Sequence, residues 1–140
     1  PAPAGQLSLG VVSLADYLTP NETELEALAG MPDASLEEAA ASLLTTDEQT
    51  IVMTLGAQGA QYLRQDGTGR IPTYQVDVVD TTGAGDAFNG GLAVALAEGK
   101  NLSDAIAFAN ATAALCVTKL GTAPSMPRRA EVEVLLASTG

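Results

Sequence analysis

A β-rich run, a glycine turn and a helical pattern follow one another in the second half of the chain. The run covers residues 74–79, the turn covers residues 80–86 with the sequence Asp-Thr-Thr-Gly-Ala-Gly-Asp, and the helical pattern ends at Glu98. Such a turn exposes backbone N–H groups at a helix start, where unpaired donors and the helix dipole attract an anion. A carboxylate at Asp86 would lie beside that anion and could accept a proton. The segment therefore predicts either phosphoryl transfer to an alcohol or, more simply, a tight connection between a strand and a helix.

The rest of the sequence alternates between strand and helix patterns, which is typical of a layered α/β domain. After an extended opening at residues 1–5, strands are predicted at the end of the apolar run 9–18, over 50–55, 60–64 and 69–72, and ending near Val79. The strand over 50–55 is almost continuously apolar or β-branched, which indicates cover on both faces. Helices are predicted from Asn21 to Gly30, from Ser35 to Leu44, over 84–98, from a Ser103 cap to Lys119, and over 131–137.

The composition excludes several classes of function. The chain has 140 residues, enough for one domain with its own core, and a formal charge of -11, which argues against nucleic acid and anionic membranes as partners. It has no histidine, so Ser–His and Cys–His catalysis and histidine metal sites are excluded. Cys116 is the one cysteine and cannot form an internal disulfide, which favours a reducing, cytoplasmic compartment.

No signal peptide and no apolar stretch of membrane-spanning length is predicted from the sequence. The chain starts at Pro1 rather than Met. We therefore expect a fragment, a processed product or the ordered part of a longer protein.

The glycine turn is not a Walker A loop, because no Gly-Lys-Ser/Thr follows, and Phe88 stands where the dinucleotide fingerprint requires a third glycine. The turn resembles the C-terminal signature of the ribokinase-like carbohydrate kinases, the PfkB family, and most closely the ribokinase branch. Five other segments resemble motifs of that family in the family's order: Pro1-Ala2-Pro3-Ala4 without the usual Asn, Asn21-Glu22-Thr23-Glu24, Thr54-Leu55-Gly56 with Gly59, Phe108-Ala109-Asn110-Ala111, and Gly121-Thr122-Ala123-Pro124-Ser125.

The resemblance implies a three-layer α/β/α fold with a mostly parallel central sheet. Residues 1–140 would be the C-terminal, ATP-binding and catalytic portion of one such domain, and the N-terminal sugar-binding part and β-sheet lid would be absent. We therefore expect the chain alone to have little or no kinase activity. It would need that missing half as a partner, and the full-length protein would form a homodimer.

The resemblance also implies roles for the glycine turn. Asp86 would be the general base that removes a proton from the sugar hydroxyl, and it would be the one substrate contact in this chain. The N–H groups of Gly83, Ala84 and Gly85 would form an anion hole for the transferred phosphoryl group. The simpler alternatives are that Asp86 only stabilises the helix start and that the glycines only shape the turn.

By the same resemblance, ATP would be bound by ten residues, and Glu24 would organise Mg²⁺ through a bound water. Asn110 would lie near the adenine or ribose. The alternatives are that Asn21 and Glu24 only cap a helix and that Asn110 is part of a polar face. The ATP-binding set is Asn21, Thr54, Leu55, Gly56, Ala57, Gln58, Gly59, Gly85, Asp86 and Asn110.

A monovalent cation, K⁺, is implied as a second ion, with oxygen ligands that suit a hard cation. The alternative is that Asp80 only caps the turn locally. The expected ligands are Asp80, Thr82, the carbonyls of Cys116, Lys119 and Gly121, and the hydroxyl of Ser125.

The implied activity is ATP-dependent phosphorylation of a sugar hydroxyl, with D-ribose converted to ribose 5-phosphate. A kinase for fructose, 2-keto-3-deoxygluconate or adenosine is the first alternative. A non-enzymatic nucleotide-binding module is the second, although such a module would have no need of the Asp86 base.

Overall fold

The computed structural model describes residues 9–139, apart from the side chain of Leu9. The extended opening and the Pro1-Ala2-Pro3-Ala4 motif therefore lie outside the described residues. The chain divides into two compact units, Pro1–Gly56 with Ala60–Arg70, and Ala57–Gly59 with Ile71–Gly140. None of the described helices has the length and apolar character needed to cross a membrane.

The first unit is built around the strand β2, Thr50–Thr54, whose first four residues are all buried. Strand β1, Tyr17–Leu18, pairs with it in parallel, and strand β3, Ala60–Arg64, pairs with it antiparallel on the other side. Strand β4, Gly67–Ile71, completes the order β1-β2-β3-β4. The predicted burial of β2 on both faces and the predicted strand at β3 are therefore confirmed.

The described sheet is mixed, whereas a mostly parallel sheet was expected from the family resemblance. The β1–β2 pair is parallel, and the β2–β3 pair is antiparallel. The cause is the short turn at Gly56–Gln58, because a connection of this length can join only antiparallel neighbours.

Two capped helices cover the sheet of the first unit. Helix α2, Glu22–Ala29, begins with the predicted Asn21 cap and ends at Gly30, which has a φ of 63°. Helix α3, Leu36–Leu43, begins with a reciprocal pair of hydrogen bonds between Ser35 and Glu38. Their inner faces form one core with β2, and its fully buried members include Leu25, Ala40, Leu43, Ile51 and Met53.

The predicted strand at the end of the apolar run 9–18 is confirmed, although it is short. Leu9–Val12 forms a short helix, α1, and only β1 is extended. The buried Gln49 amide donates to the carbonyl oxygens of Val12 at 2.7 Å and Ala15 at 3.0 Å. These carbonyls at the end of α1 are therefore satisfied by a side chain rather than by a neighbouring strand.

The second unit is helical. Helix α4, Ala84–Ala97, packs along helix α5, Leu102–Cys116, and helix α6, Arg129–Ser138, follows. Helix α5 is capped by Asn101, not by Ser103 as predicted, because the Asn101 oxygen accepts the Asp104 N–H at 2.9 Å. Asn is at least as favourable a cap as Ser, so an upstream Asn can start the helix earlier.

The predicted strand that ends near Val79 is also wrong. Residues 72–78 belong to no strand, and Val78 and Val79 are exposed. Within residues 9–139 no strand pairs with this segment. At its end, the N–H groups of Val79 and Asp80 instead donate to the Val117 carbonyl oxygen, at 2.8 and 3.1 Å.

The N-terminus of α6 is attached to both neighbouring helices by Arg129. The guanidinium forms a two-point ion pair with Glu98 at the end of α4, and its Nε donates to Glu133 at 2.7 Å. The same group lies 5.8 Å from the centre of the Phe108 ring on α5. Arg129 therefore links α4, α5 and α6 at one point.

Adjacent glycines in α4 provide a matched test of this helix packing. A Cβ at Gly91 would lie 2.8 Å from Thr112 Oγ1 and 3.1 Å from Ala109 Cα, whereas a Cβ at Gly90 would meet nothing within 4 Å. We expect Gly91→Ala to lower the urea midpoint and Gly90→Ala to raise it. Both substitutions gain the same helix propensity. The difference in the free energy of unfolding between the two variants should therefore equal the overpacking cost at Gly91, about 1–3 kcal/mol. Equal midpoints for the two variants would contradict the close approach of α4 and α5.

Candidate functional site

The carboxylate of Asp80 connects two loops of the second unit. Its Oδ1 accepts the Thr82 N–H at 2.9 Å, and its Oδ2 accepts the Gly121 N–H at 3.1 Å. The first loop leads into α4, and the second follows α5. Asp80 therefore does cap the turn locally, and it also holds the turn against the loop around Gly121.

The same hydrogen bonds affect the ionisation of Asp80. The Thr82 hydroxyl, then the Thr82 N–H and the Gly121 N–H, hold the pKa of the Asp80 carboxyl below its ordinary value. Hydrogen bonds to a carboxylate favour its charged form. Asp80 is therefore negatively charged at neutral pH, and this charge is what a cation at this loop would meet.

The glycine turn has the backbone shape that only glycine adopts easily. Gly83 caps α4 with a φ of 81°, and a Cβ on it would lie 3.2 Å from Thr122 Cγ2. An L side chain at this position would be strained by its backbone and would press on the loop that Asp80 holds. The turn and the Thr122 loop therefore have to keep their present spacing.

Three N–H groups at the start of α4, those of Gly83, Gly85 and Asp86, are available to an anion. The Ala84 N–H donates to the Thr81 carbonyl oxygen at 3.2 Å, and the Ala87 N–H donates to Gly83 at 2.9 Å. The N–H groups of Gly85 and Asp86 have no acceptor among residues 9–139. Of the predicted anion-hole residues, Gly83 and Gly85 thus have open donors, while the donor of Ala84 is already used.

The candidate base Asp86 lies in the first turn of α4 and is exposed. A Cβ at the neighbouring Gly85 would meet nothing within 4 Å, so the space over this turn is open. The first turn of α4 therefore leaves both Gly85 and the Asp86 side chain accessible to a ligand.

A buried chain of hydrogen bonds stabilises the loop after α5. The Ser125 hydroxyl donates to the Thr122 carbonyl oxygen at 2.6 Å, so its oxygen accepts from the Cys116 thiol at 3.1 Å. Both side chains are fully buried. The thiol of Cys116 is thus part of the loop's support, which agrees with a packing role rather than a reactive one.

The predicted cation ligands all lie in the second unit, where hydrogen bonds link them in two groups. In the first group, the Asp80 carboxylate accepts hydrogen bonds from the N–H groups of Thr82 and Gly121. In the second, the Cys116 thiol is hydrogen-bonded to the Ser125 hydroxyl, and the Lys119 N–H donates to the Cys116 carbonyl oxygen at 3.2 Å. The set contains one carboxylate, hydroxyls and main-chain carbonyls, which are donors that suit a hard monovalent cation.

In the first unit, Asn21 and Glu24 form a capping box. The Asn21 side chain accepts the Glu24 N–H at 2.8 Å, and the Glu24 carboxylate accepts the Asn21 N–H at 3.0 Å. Asn21 also forms a parallel bridge with Thr54 at the end of β2. The capping alternative is therefore observed, and it places both polar side chains beside the carboxyl end of a buried strand.

The magnesium role of Glu24 and the ATP role of Asn21 stay predictions. Within residues 9–139 no group of three His, Cys, Asp or Glu side chains is arranged to hold a metal ion.

The predicted nucleotide turn follows β2. Leu55 is buried, Gly56 has a φ of 54°, and Gly59 has a φ of 89°. Between these glycines, Ala57 and Gln58 are exposed. The positive φ values explain why glycine stands at both ends of the turn.

Asn110, which was expected near the adenine or ribose, lies in α5, and its role in nucleotide binding stays a prediction. It is buried in α5, and its amide NH₂ donates to the carbonyl oxygens of Ile71 at 3.1 Å and Pro72 at 3.2 Å. Both donor hydrogens of the side chain are therefore used by the protein.

Two supporting residues of the site were missed from the sequence. The Val117 carbonyl accepts the N–H groups of both Val79 and Asp80, and Thr122 forms the wall against Gly83. The one signal for Thr122 was its place in the motif 121–125, and Val117 had none, because a carbonyl acceptor has no characteristic side chain.

Comparison with known proteins places these features in one family. The model of the pfkB family of carbohydrate kinases matches residues 1–129. The ribokinase of Bacillus subtilis is 44% identical over 137 residues, which are 98% of this chain and 45% of that protein.

Two solved structures give the same result. Ribokinase from Thermotoga maritima superposes with a TM-score of 0.91 at 42% identity, over 98% of this chain and 47% of that chain. Arabidopsis thaliana ribokinase, complexed with ribose and ATP, has a TM-score of 0.84 at 37% identity, over 92% of this chain and 43% of that chain.

The fold and the turn thus define an α/β protein of the ribokinase-like class. The chain belongs to the pfkB family of carbohydrate kinases. It spans less than half the length of the relatives it matches.

The lowered pKa of Asp80 predicts a pH-dependent contribution to stability. A carboxyl whose pKa is lower in the folded state stabilises the protein when the pH is above the unfolded-state pKa, about 3.9. This stabilisation is lost as the pH falls through the folded-state pKa. We expect Asp80→Asn to lower the free energy of unfolding at pH 7, and the difference from wild type to shrink below about pH 4. Urea unfolding between pH 7 and pH 3 measures this.

Asp77→Asn is the matched control, because Asp77 is an exposed aspartate with no hydrogen bond from residues 9–139. This variant should unfold like wild type at pH 7. If the free energies of unfolding of the wild type and Asp80→Asn differ by the same amount at every pH, the hydrogen bonds do not explain the role of Asp80.

Proposed function

We propose that this chain is the ATP-binding and catalytic portion of an ATP-dependent sugar kinase, with D-ribose as substrate and ribose 5-phosphate as product. The observation that carries the proposal is the glycine turn, where Asp80 fixes a helix start whose free N–H groups adjoin the exposed carboxylate of Asp86. Membership of a carbohydrate-kinase family and the similarity to a ribokinase complexed with ribose and ATP support it.

In this reaction Asp86 accepts the proton of the sugar hydroxyl as its oxygen attacks the γ-phosphorus of ATP. The bond from that phosphorus to the bridging oxygen breaks, and ADP leaves. Charge on the transferred phosphoryl group is stabilised by the N–H groups of the turn, principally those of Gly85 and Asp86. The chain has few cations, so the backbone and bound ions must neutralise most of the phosphate charge.

Mg²⁺ and K⁺ are the proposed ions. Glu24 would hold Mg²⁺ through water, and the Asp80 loops would hold K⁺, which would keep the glycine turn in shape. Related structures are consistent with this: a ribokinase II from E. coli is in complex with ATP and Mg²⁺, and a fructokinase from Vibrio cholerae is in a fructose, ADP and potassium ion bound form.

Fructose is the main alternative substrate. Fructokinase-1 of Oryza sativa is 39% identical to this chain, so the matched segment is similar in kinases for different sugars. We infer that the sugar is chosen mainly outside this segment, since Asp86 is the only residue here assigned to the sugar. Comparing ribose, fructose, 2-keto-3-deoxygluconate and adenosine as acceptors for the full-length protein would decide the substrate.

We also propose that this chain acts with the remainder of a ribokinase-like fold, in the cytoplasm, as part of a protein that dimerises. The exposed Val78 and Val79, in an extended segment without a partner strand within residues 9–139, are consistent with cover by that remainder. The chain alone should therefore phosphorylate ribose poorly or not at all.

A chimera tests the catalytic assignment. The part of Bacillus subtilis ribokinase that this chain does not match is joined to this chain, and ribose phosphorylation is measured by coupled ADP release. We expect Asp86→Asn to lower kcat by about 10²–10⁴-fold, because the general base is lost, while the Kd for ATP changes little.

Asp104→Asn is the control for this experiment, since Asp104 is also an acid in the first turn of a helix. Its chimera should keep the wild-type kcat. If Asp86→Asn keeps its turnover, Asp86 only stabilises the helix start. If the wild-type chimera binds ATP but never turns over, the non-enzymatic nucleotide-binding module is the better account.

The cation proposal predicts a specific response to potassium. We expect KCl to raise the Tm of the protein above that in tetramethylammonium chloride at equal ionic strength, because the larger cation cannot fit among the loop oxygens. The Asp80→Asn variant should lose this difference. Equal Tm values for the wild type in both salts would remove the cation site from the account.

A further inference from the structure

An ion pair closes the loop between α5 and α6. The Lys119 ammonium group donates to the Glu131 carboxylate at 3.0 Å, across 12 positions of the sequence. The loop that this pair closes contains Gly121 and Ser125, two of the proposed cation ligands, and the Lys119 carbonyl is a third. The ion pair therefore links the first turn of α6 to the main chain that would bind the cation.

The carboxylate of Glu131 is oriented by the start of α6. Its Oε2 accepts the Arg128 N–H at 2.6 Å, and its Oε1 accepts from Lys119. An exposed ion pair usually contributes little, because two long side chains must be ordered to form it. Since the backbone at the start of α6 already orders Glu131, less side-chain entropy is lost when Lys119 binds.

The helix start that carries Glu131 is itself anchored. The Arg129 guanidinium pairs with Glu98 at the end of α4, and its Nε donates to Glu133 at 2.7 Å. The same guanidinium lies 5.8 Å from the centre of the Phe108 ring on α5. Glu131 therefore projects from a turn that a network of charges holds to both neighbouring helices, and networks are the exception to the low value of surface ion pairs.

The peptide between Lys119 and Leu120 carries one of the proposed ligand oxygens. On the α5 side, the Lys119 N–H donates to the Cys116 carbonyl oxygen at 3.2 Å, and on the other side the Gly121 N–H donates to Asp80. The Leu120 side chain is 74% exposed, so it adds little packing. The attachment of this peptide to α6 therefore comes from the Lys119 side chain.

We propose that Glu131 is a positioning residue for the cation site, which acts through the Lys119 side chain to keep the Lys119 carbonyl in register with those of Cys116 and Gly121. The proposal rests on the proposed potassium site and extends it to the start of α6. A group that orients a metal ligand changes the affinity for the metal without contacting it. Loss of the ion pair would displace one of several oxygen ligands and weaken K⁺ binding without abolishing it.

A substitution that removes only the ion pair tests this role. Glu131→Gln keeps a side-chain oxygen for the Arg128 N–H, but its NH₂ group cannot accept from Lys119. The free energy of unfolding in urea is measured as KCl replaces tetramethylammonium chloride at constant ionic strength, and its rise gives the Kd for K⁺. We expect Glu131→Gln to raise this Kd by about two- to fivefold, the effect of losing one such ion pair. An unchanged Kd would overturn the proposal.

A double-mutant cycle shows whether Glu131 acts through Lys119. Lys119→Met also removes the ion pair and keeps the main-chain carbonyl. We expect the two single variants and the double variant to weaken K⁺ binding by the same factor. If Glu131 attracted K⁺ only through its negative charge, Lys119→Met would instead tighten K⁺ binding, because it removes a positive charge. Tighter binding in Lys119→Met, or effects that multiply in the double variant, would contradict the positioning role.

Glu133→Gln is the matched control, since Glu133 lies on the same helix and pairs with Arg129 rather than with the loop. It should affect the stability of α6 and leave the Kd for K⁺ unchanged. An equal loss of K⁺ affinity in Glu133→Gln and Glu131→Gln would contradict a specific role for Glu131.

The wild type separates failure of this role from failure of the potassium site. If its free energy of unfolding does not respond to K⁺, the proposed site is refuted, and the role of Glu131 with it. If the wild type responds to K⁺ and Glu131→Gln responds with the same Kd, the positioning role alone is refuted.

Discussion

Asp80 accepts hydrogen bonds from two backbone amides, one two residues away at Thr82 and the other 41 residues away at Gly121. These bonds join the loop that starts α4 to the loop that ends α5, and the packing of α4 along α5 places those loops side by side. The left-handed Gly83 and the open N–H groups of Gly85 and Asp86 depend on this spacing, because Thr122 lies against Gly83. A single carboxylate therefore sets the geometry in which an anion and Asp86, the proposed base, can meet.

The same arrangement explains how the roles of the turn are divided. The acid at Asp80 is committed to structure, with a lowered pKa that keeps it charged, whereas the acid at Asp86 is exposed and has no partner among the described residues. One carboxylate therefore holds the turn, and the other is left exposed for the role proposed for it. Behind them, the buried Cys116–Ser125 pair and the Arg129 contacts stabilise the loop and the helices that carry the site.

Local features of the fold could be predicted from the sequence, and features that depend on distant partners could not. The Asn21 and Ser35 caps, the end of α2 at Gly30 and the buried β2 follow from residues that contact their own neighbours in sequence. The segment before Val79 has a strand composition but no partner strand within residues 9–139, and Asn101 and Ser103 could both cap α5. The partners of Asn110 are carbonyl oxygens 38 and 39 residues away, which no side-chain pattern reveals.

The central claim is that Asp80 keeps the glycine turn in an anion-binding conformation, and an amide NMR titration with Mg·AMP-PNP tests it most directly. The account predicts that the largest shifts in the second unit occur at the N–H groups of Gly85 and Asp86 in the wild-type protein. It also predicts that these shifts are lost in Asp80→Asn, although the variant remains folded. Equal shifts at Gly85 and Asp86 in both proteins, or none at these groups in the wild type, would contradict it.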